Sequence, residues 1–328
     1  MSDVAASLRP DRTCHFRHVL LDSDRWDAYK PRPSDIVITT SMKAGTTWMQ
    51  TIVACLLFPD GRQPAPTNVL SPWFDLSFPA VGDVVDLLET QKHRRFVKSH
   101  LPANAIRYFD EVRYLVIGRD GRDVFMSLVN HYERMKPEII AMANHMAPPD
   151  IPHMPLYSEA FDSDPRAFFD HWISTGSVPS EGDGSPFWSH FAHIASWWPY
   201  RHLPNVRLVH FNDLLVDLEG EMQAIAEWLA IDVPERFWPE VVERATFASM
   251  KENADDVAPV PFVFDGGGDG FLHSGTNGRW RDVLSGDQLQ RYEARVKAVL
   301  TPDCASWLEH GSNAVATGKS GSPGSPKP

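Results

Sequence analysis

Paired cysteines are missing from this 328-residue chain. Its three, Cys14, Cys55 and Cys304, are odd in number, scattered and without CxxC spacing. That excludes a disulfide framework and a cysteine-built zinc site as organising features, and a reducing cytoplasm is the expected compartment. Long apolar runs are missing too. The longest, Ile52–Phe58, is far too short to span a bilayer, so no transmembrane segment is expected. Met1–Arg12 mixes acidic and basic residues and lacks the apolar core of a signal peptide. Nor is there an excess of positive charge. With 43 acidic residues against 31 Lys and Arg, the formal net charge is −12, which disfavours a nucleic-acid partner. An anionic small molecule must therefore be met by cations gathered locally.

What is present is a hydrophobic content of 43%, enough for a sizeable core. No internal repeat is visible. Four short, β-branched, nearly continuous apolar runs read as buried parallel strands: 35–40, 95–98, 113–118 and 206–211. Helical patterns follow the first, third and fourth, over 46–57, 124–132 and 218–229. Strands alternating with helices predict an α/β fold, a central parallel sheet flanked by helices on both faces. Ligands of such sheets bind beyond the carboxyl ends of the strands. Residues 147–186, rich in Pro, Gly and acids, read as long loops around one short helix. A single domain over 1–310 is expected, followed by a disordered Gly/Ser/Pro-rich tail over 311–328.

The first strand runs into Lys43-Ala44-Gly45-Thr46-Thr47-Trp48. Small residues at 44 and 45 let a ligand approach the backbone. The unpaired N–H groups of the helix start face it, with the positive end of the helix dipole behind them. Thr46 and Thr47 add hydroxyls, and Lys43 adds a full charge. This is phosphate-binding chemistry, but not a Walker A loop, because Lys43 precedes Gly45 and no glycine lies between Arg32 and Gly45. On its own it also reads as a lysine beside an ordinary helix cap.

The second run ends Lys98-Ser99-His100-Leu101-Pro102, which places a candidate general base at a strand end. Taken alone, His100 also reads as a hydrogen-bonded loop histidine. The third run ends in Gly118-Arg119-Asp120-Gly121-Arg122-Asp123, with Ser127 in the helix beyond. Arg119 is a candidate second anion site, since Arg binds phosphate bidentately. Arg122 and Asp123 are expected to be structural. Two anion sites on neighbouring strand ends suggest a ligand with two separated anionic groups.

Together these stretches resemble the sulfotransferases that use 3′-phosphoadenosine 5′-phosphosulfate (PAPS), in particular the soluble cytosolic-type and bacterial branch. The likeness runs from about Asp35 to Arg281. In that family Lys-Ser-Gly-Thr-Thr-Trp binds the 5′-phosphosulfate, and only Ala44 departs from it here. The resemblance implies that Trp48 stacks on the adenine. The family's Lys-Thr-His-Leu-Pro looks like Lys98–Pro102, which makes His100 the expected base. Arg119 and Ser127 match the family's Arg and Ser that hold the 3′-phosphate. Thr246-Phe247-Ala248-Ser249-Met250-Lys251 resembles Ser-Phe-x-x-Met-Lys, so Thr246 and Phe247 would line the nucleotide. Phe271-Leu272-His273-Ser274-Gly275-Thr276-Asn277-Gly278-Arg279-Trp280-Arg281 resembles Phe-Met-Arg-Lys-Gly-x-x-Gly-x-Trp-Lys, which brings Phe271, Leu272 and Gly275 to the nucleotide. His273 and Ser274 replace two cations there, so the 3′ clamp is expected to be weaker. Phe211 stands where the family often has Tyr.

The resemblance implies sulfonate transfer from PAPS to a hydroxyl or amine, with release of adenosine 3′,5′-bisphosphate (PAP). His100 takes the proton, and Lys43, with Lys98, stabilises the leaving group. A sulfonate is less charged than a phosphoryl group, so no metal is expected. The spacing of His190 and His193 could suggest metal ligands, but neither HExxH nor a Cys/His set accompanies it. Trp197-Trp198 is expected in the core. Residues 72–84 and 135–186, with Trp73, Phe74, Phe78, Met142, Met146 and Met154, are expected to shape a pocket for a hydrophobic or amphipathic acceptor, a phenol, sterol or glycolipid. Two rival readings are a P-loop kinase and a non-catalytic adenine-nucleotide sensor. The family's C-terminal dimer motif is not recognisable, which leaves the oligomeric state open.

Overall fold

Four of the apolar runs build one parallel sheet in the computed structural model, which describes residues 9–258 and 262–312. The strands are β1 (Ile36–Thr40), β2 (Phe96–Ser99), β3 (Arg113–Gly118) and β4 (Val206–His210). They lie side by side in the order β2-β1-β3-β4. Ile36 pairs with Phe96 on one side and Arg113 on the other, and Tyr114 pairs with Val206. Successive strand residues point to opposite faces. Accordingly Val37, Val97, Tyr114 and Val116 enter one core, and Ile36, Phe96, Leu115 and Ile117 enter the other.

Helices cover both faces. On the second face pack Met49, Ile52 and Val53 of helix α1 (Thr46–Leu57) and Met222, Ile225 and Leu229 of the helix Leu218–Leu229. On the first pack Val124, Phe125 and Leu128 of helix α2 (Gly121–Glu133), with Ile194 and Trp197 of the helix His190–Trp197. The α/β architecture is as the sequence predicts. β2 starts one residue later than its apolar run because Arg95 does not join the strand. Its guanidinium pairs with Asp35, and both side chains are buried just before their strands begin. β4 stops at His210, and Phe211 opens an extra short helix, Phe211–Val216. α2 begins at Gly121, three residues earlier than its apolar pattern, because Asp120 caps it by accepting from the N–H of Arg122.

Residues 147–186 need correction. They hold two helices, Tyr157–Phe161 and Pro165–Trp172. The second starts at a proline capped by Asp164, and its Phe168, Phe169 and Trp172 are wholly buried against Phe125. Truncating any one of these rings costs about 3–5 kcal/mol, so the segment is part of the core. At the other end, Gly311 and Ser312 are anchored. Gly311 N–H donates to Trp307 O at 2.8 Å, and Ser312 N–H donates to the Asp213 carboxylate at 3.1 Å. The rest of the expected tail, residues 313–328, lies outside the described residues. No helix among those described is long and apolar enough to cross a membrane.

Candidate functional site

β1 is central, and the chain leaves it first toward β2 and later toward β3. A crevice therefore opens at the carboxyl ends of these strands. The register brings Thr39 level with Ser99, Thr40 level with Ile117 and Gly118 level with His210. Lys43, His100, Arg119 and Phe211 thus follow their strands along one edge of the sheet.

The loop after β1 is a strained turn. Lys43 has φ +64° and Gly45 has φ +119°. A Cβ at Gly45 would come within 3.1 Å of the Phe211 ring, and side chains rarely adopt that φ, so glycine is required. α1 then begins with no side-chain cap and no acidic residue in its first turn. Its leading N–H groups are left for a ligand, as an anion cradle needs. The Lys43 ammonium lies 4.0 Å from the Phe271 ring centre. Loss of water, together with the charges of Lys98 and Arg119, lowers its pKa to about 7.

His100 follows β2 and is buried. Its Nδ1 lies 2.7 Å from Thr40 O. A carbonyl only accepts, so Nδ1 carries the proton and Nε2 keeps its lone pair. Burial first, then Lys98, holds the pKa well below the usual histidine range. The ring stands edge-on to Trp73, with centroids 4.8 Å apart, and near Trp188 at 5.3 Å. Lys98 lies over Trp73 at 4.3 Å, and burial brings its pKa to about 8 against the pull of Asp75. Asp75, which belongs to no motif in the sequence, is fully buried and accepts four donors. They are the backbone N–H of His100 at 3.0 Å, the indoles of Trp73 at 2.8 Å and Trp26 at 3.2 Å, and the Ser99 hydroxyl. It fixes the end of β2 on which His100 sits.

Arg119 follows β3. It donates to Asn277 Oδ1 at 2.8 Å and to Thr276 O at 3.2 Å, and lies 4.0 Å from the Phe211 ring centre. Asp123 accepts the N–H of Gly278 at 2.6 Å, which docks the 275–278 loop on the start of α2. Arg122 is held by Asp120 and Glu309 and stacks on Trp280. Both are thus engaged as the sequence suggests for structural members. In the loop, Gly275 at φ +62° lies so close to Phe247 that a Cβ would meet the ring at 2.6 Å. Arg279 was not selected from the sequence, yet its guanidinium donates to Met126 O at 3.3 Å, and its buried Nε has no partner among the described residues.

One cavity of about 380 Å³ joins these groups. Every residue selected from the sequence for the site lines it except Ala44 and Thr246. Ala44 is fully buried in the core. Thr246 instead caps a short helix, accepting from Ser249 N–H and donating to Glu243 O. Trp48 lines the cavity edge-on to Phe211, with its indole N–H on Ala245 O at 2.8 Å. Lys43, Lys98, Arg119 and Arg279 all face the cavity, and among the described residues no carboxylate does. In a chain of net charge −12 this is a local concentration of cations. His273 and Ser274 also line it, and Arg279 adds a cation from the same loop.

Trp73, Phe78 and Met142 line the cavity as expected, whereas Met146 is exposed and Phe74 and Met154 are packed in the core. Trp197 is buried, but Trp198 is only partly covered and reaches Asp303. The His190 and His193 rings support the loops. His190 engages Ser41 Oγ and, through Nε2, Arg119 O at 2.8 Å, and His193 Nε2 meets Thr39 Oγ1 at 3.1 Å. Among the described residues no group of three His, Cys, Asp or Glu is placed to hold a metal ion.

Residues 33–302 match the sulfotransferase domain family. A glycolipid sulfotransferase of Mycobacterium bovis is 29% identical over 314 residues, covering 90% of this chain and 94% of the relative. One from Mycobacterium tuberculosis is 30% identical over 308 residues with the same coverage. In architecture the chain is similar to mouse sulfotransferase SULT7A1, whose structure is complexed with PAP, with a TM-score of 0.64 at 16% identity over 87% of this chain and 92% of that one.

Proposed function

The chain belongs to the sulfotransferase family, and from that premise we propose that it moves the sulfonate of PAPS to a hydroxyl of an amphipathic acceptor, a glycolipid being the favoured class. The observation that carries the reading is the single cavity in which four cations and no described carboxylate meet the free Nε2 of His100. The 5′-phosphosulfate lies on the start of α1 and Lys43. The 3′-phosphate lies between Arg119, Ser127 and Arg279, and the adenine lies by Trp48 and Phe247. The acceptor enters along an apolar wall that includes Phe78, Met135, Ile139, Met142 and Phe264. The mycobacterial relatives are named for glycolipid acceptors, which agrees with that wall. The three cysteines are all free, which fits the cytoplasm.

In the reaction His100 Nε2 takes the acceptor proton as the acceptor oxygen bonds to sulfur. The bond from sulfur to the 5′-phosphate oxygen breaks, and PAP leaves. Lys43, Lys98 and the N–H groups of α1 stabilise the charge that builds on that oxygen. Burial keeps His100 neutral at neutral pH, so the Nε2 lone pair is open to a proton. The test is His100→Ala, assayed with labelled PAPS on a panel of glycolipids, phenols and sterols. Turnover should fall by a factor of about 10² to 10⁴, while the thermal shift produced by PAP stays as in the wild type. Full activity in the variant would sink the base assignment. A wild type that binds PAP yet transfers to no acceptor would sink the enzyme reading.

A further inference from the structure

Ser127 and His131 stand four residues apart on α2, and both line the cavity. That spacing places them on one face of the helix. His131 is 5% exposed, and neither ring nitrogen has a hydrogen-bond partner among the described residues. Its neighbours are aromatic: Phe264 at 4.6 Å between ring centres, Phe271 at 5.8 Å and Phe187 at 6.0 Å. Buried polar groups are almost always paired, and an exception calls for a reason. Phenylalanine would fill this aromatic nest without leaving two polar nitrogens idle. An imidazole kept there, on the wall of a ligand cavity, is therefore explained by a partner that arrives with the ligand.

We propose that His131 recognises the acceptor by hydrogen-bonding a second oxygen on it, separate from the hydroxyl that is sulfonated. This rests on the proposed function in seating the acceptor in this cavity. Burial, with Lys43 and Lys98 nearby, keeps the ring neutral, so it offers one donor and one acceptor nitrogen. Phe264 and Phe271 hold the apolar body around that contact. The substrate class is thereby narrowed to amphiphiles that carry a further hydroxyl, carbonyl or ether oxygen within an apolar frame. Plain alkyl alcohols and alkylphenols lack the group that His131 would hold.

The test uses two probes that differ chiefly by one oxygen, 4-(4-hydroxyphenyl)butan-2-one and 4-butylphenol. Each is titrated calorimetrically into the PAP-saturated enzyme, into His131→Phe and into His131→Gln. The ketone should bind the wild type about fivefold or more tighter than His131→Phe, the worth of one net hydrogen bond. Butylphenol should bind His131→Phe as well as the wild type or better, and His131→Gln should recover part of the ketone preference. Equal losses for both probes, no loss for the ketone, or no binding of either probe to the wild type at about 1 mM would each overturn the proposal. Binding to the PAP complex requires no turnover, so failure of the transfer reading and failure of this one remain distinguishable.

Discussion

Binding of the nucleotide should draw protons from solution. Lys43 has a pKa of about 7 and Lys98 of about 8, both lowered first by burial. An anionic ligand against these ammonium groups raises both values. The bound-state pKa then exceeds the free-state pKa, so affinity is greatest below about pH 7 and falls as pH rises through the free-state values. Near pH 7.5, Lys43 is about one quarter protonated in the free protein and Lys98 about three quarters. Completing both takes up about one proton per nucleotide, and affinity drops about tenfold per pH unit in that region. The two phosphate monoesters of PAP ionise near pH 6 and add little. Calorimetric titration of PAP in PIPES, HEPES and Tris buffers reads the uptake directly, as the slope of observed heat against buffer ionisation enthalpy. In Lys43→Met the uptake should shrink to about a quarter of a proton, the share left to Lys98. Zero uptake near pH 7.5, with affinity flat from about pH 6.5 to 8.5, would refute the claim that these two ammonium groups face the ligand's anions.

Arg279→Met should weaken PAP by about ten- to a hundredfold, the range of a charge-assisted hydrogen bond, while adenosine 5′-phosphosulfate, which lacks the 3′-phosphate, binds as before. An equal loss for both nucleotides would remove Arg279 from the 3′ site. Asp75→Asn turns one oxygen of a fully engaged carboxylate into a donor facing other donors. It should cost about 1–3 kcal/mol of stability, seen as a lower melting temperature, and slow turnover by loosening the end of β2 beneath His100. An unchanged melting temperature would contradict the four-donor role.

The sheet was legible because each strand is buried on both faces. Residues 36–40, 96–99, 113–118 and 206–210 are rich in apolar residues, many of them β-branched, without the strict alternation that a half-exposed strand shows. Knowing the strands locates their ends, and Lys43, His100 and Arg119 sit there. The Pro165–Trp172 helix was hidden by its surroundings. Proline, acids and glycine on either side read as loop, although Pro165 is a helix-starting proline behind the Asp164 cap and the apolar ring positions lie within two turns. Thr246 is the opposite case. Its motif matches, but its hydroxyl is taken up by the cap of its own helix.

The residues that were not legible in the sequence share one physical property. Asp75, His131 and Arg279 have their meaning only through groups distant in sequence: Asp75 through His100 and Trp26, His131 through Phe264 and Phe271, Arg279 through Arg119. A local pattern cannot encode which chains converge. Yet two of the three left a trace. His131 is one helical turn beyond Ser127, so once Ser127 is placed on the ligand face, His131 follows it there. Arg279 directly follows Gly278, and Gly278 is tied by its N–H to Asp123. Anchoring that glycine delivers its neighbour to the same side of α2 as Arg119. The loss of two cations at His273 and Ser274 therefore cannot be judged from those positions alone. The charge that matters is the sum over every strand end and loop that reaches the cavity, and on that sum four cations face it with no described carboxylate among them.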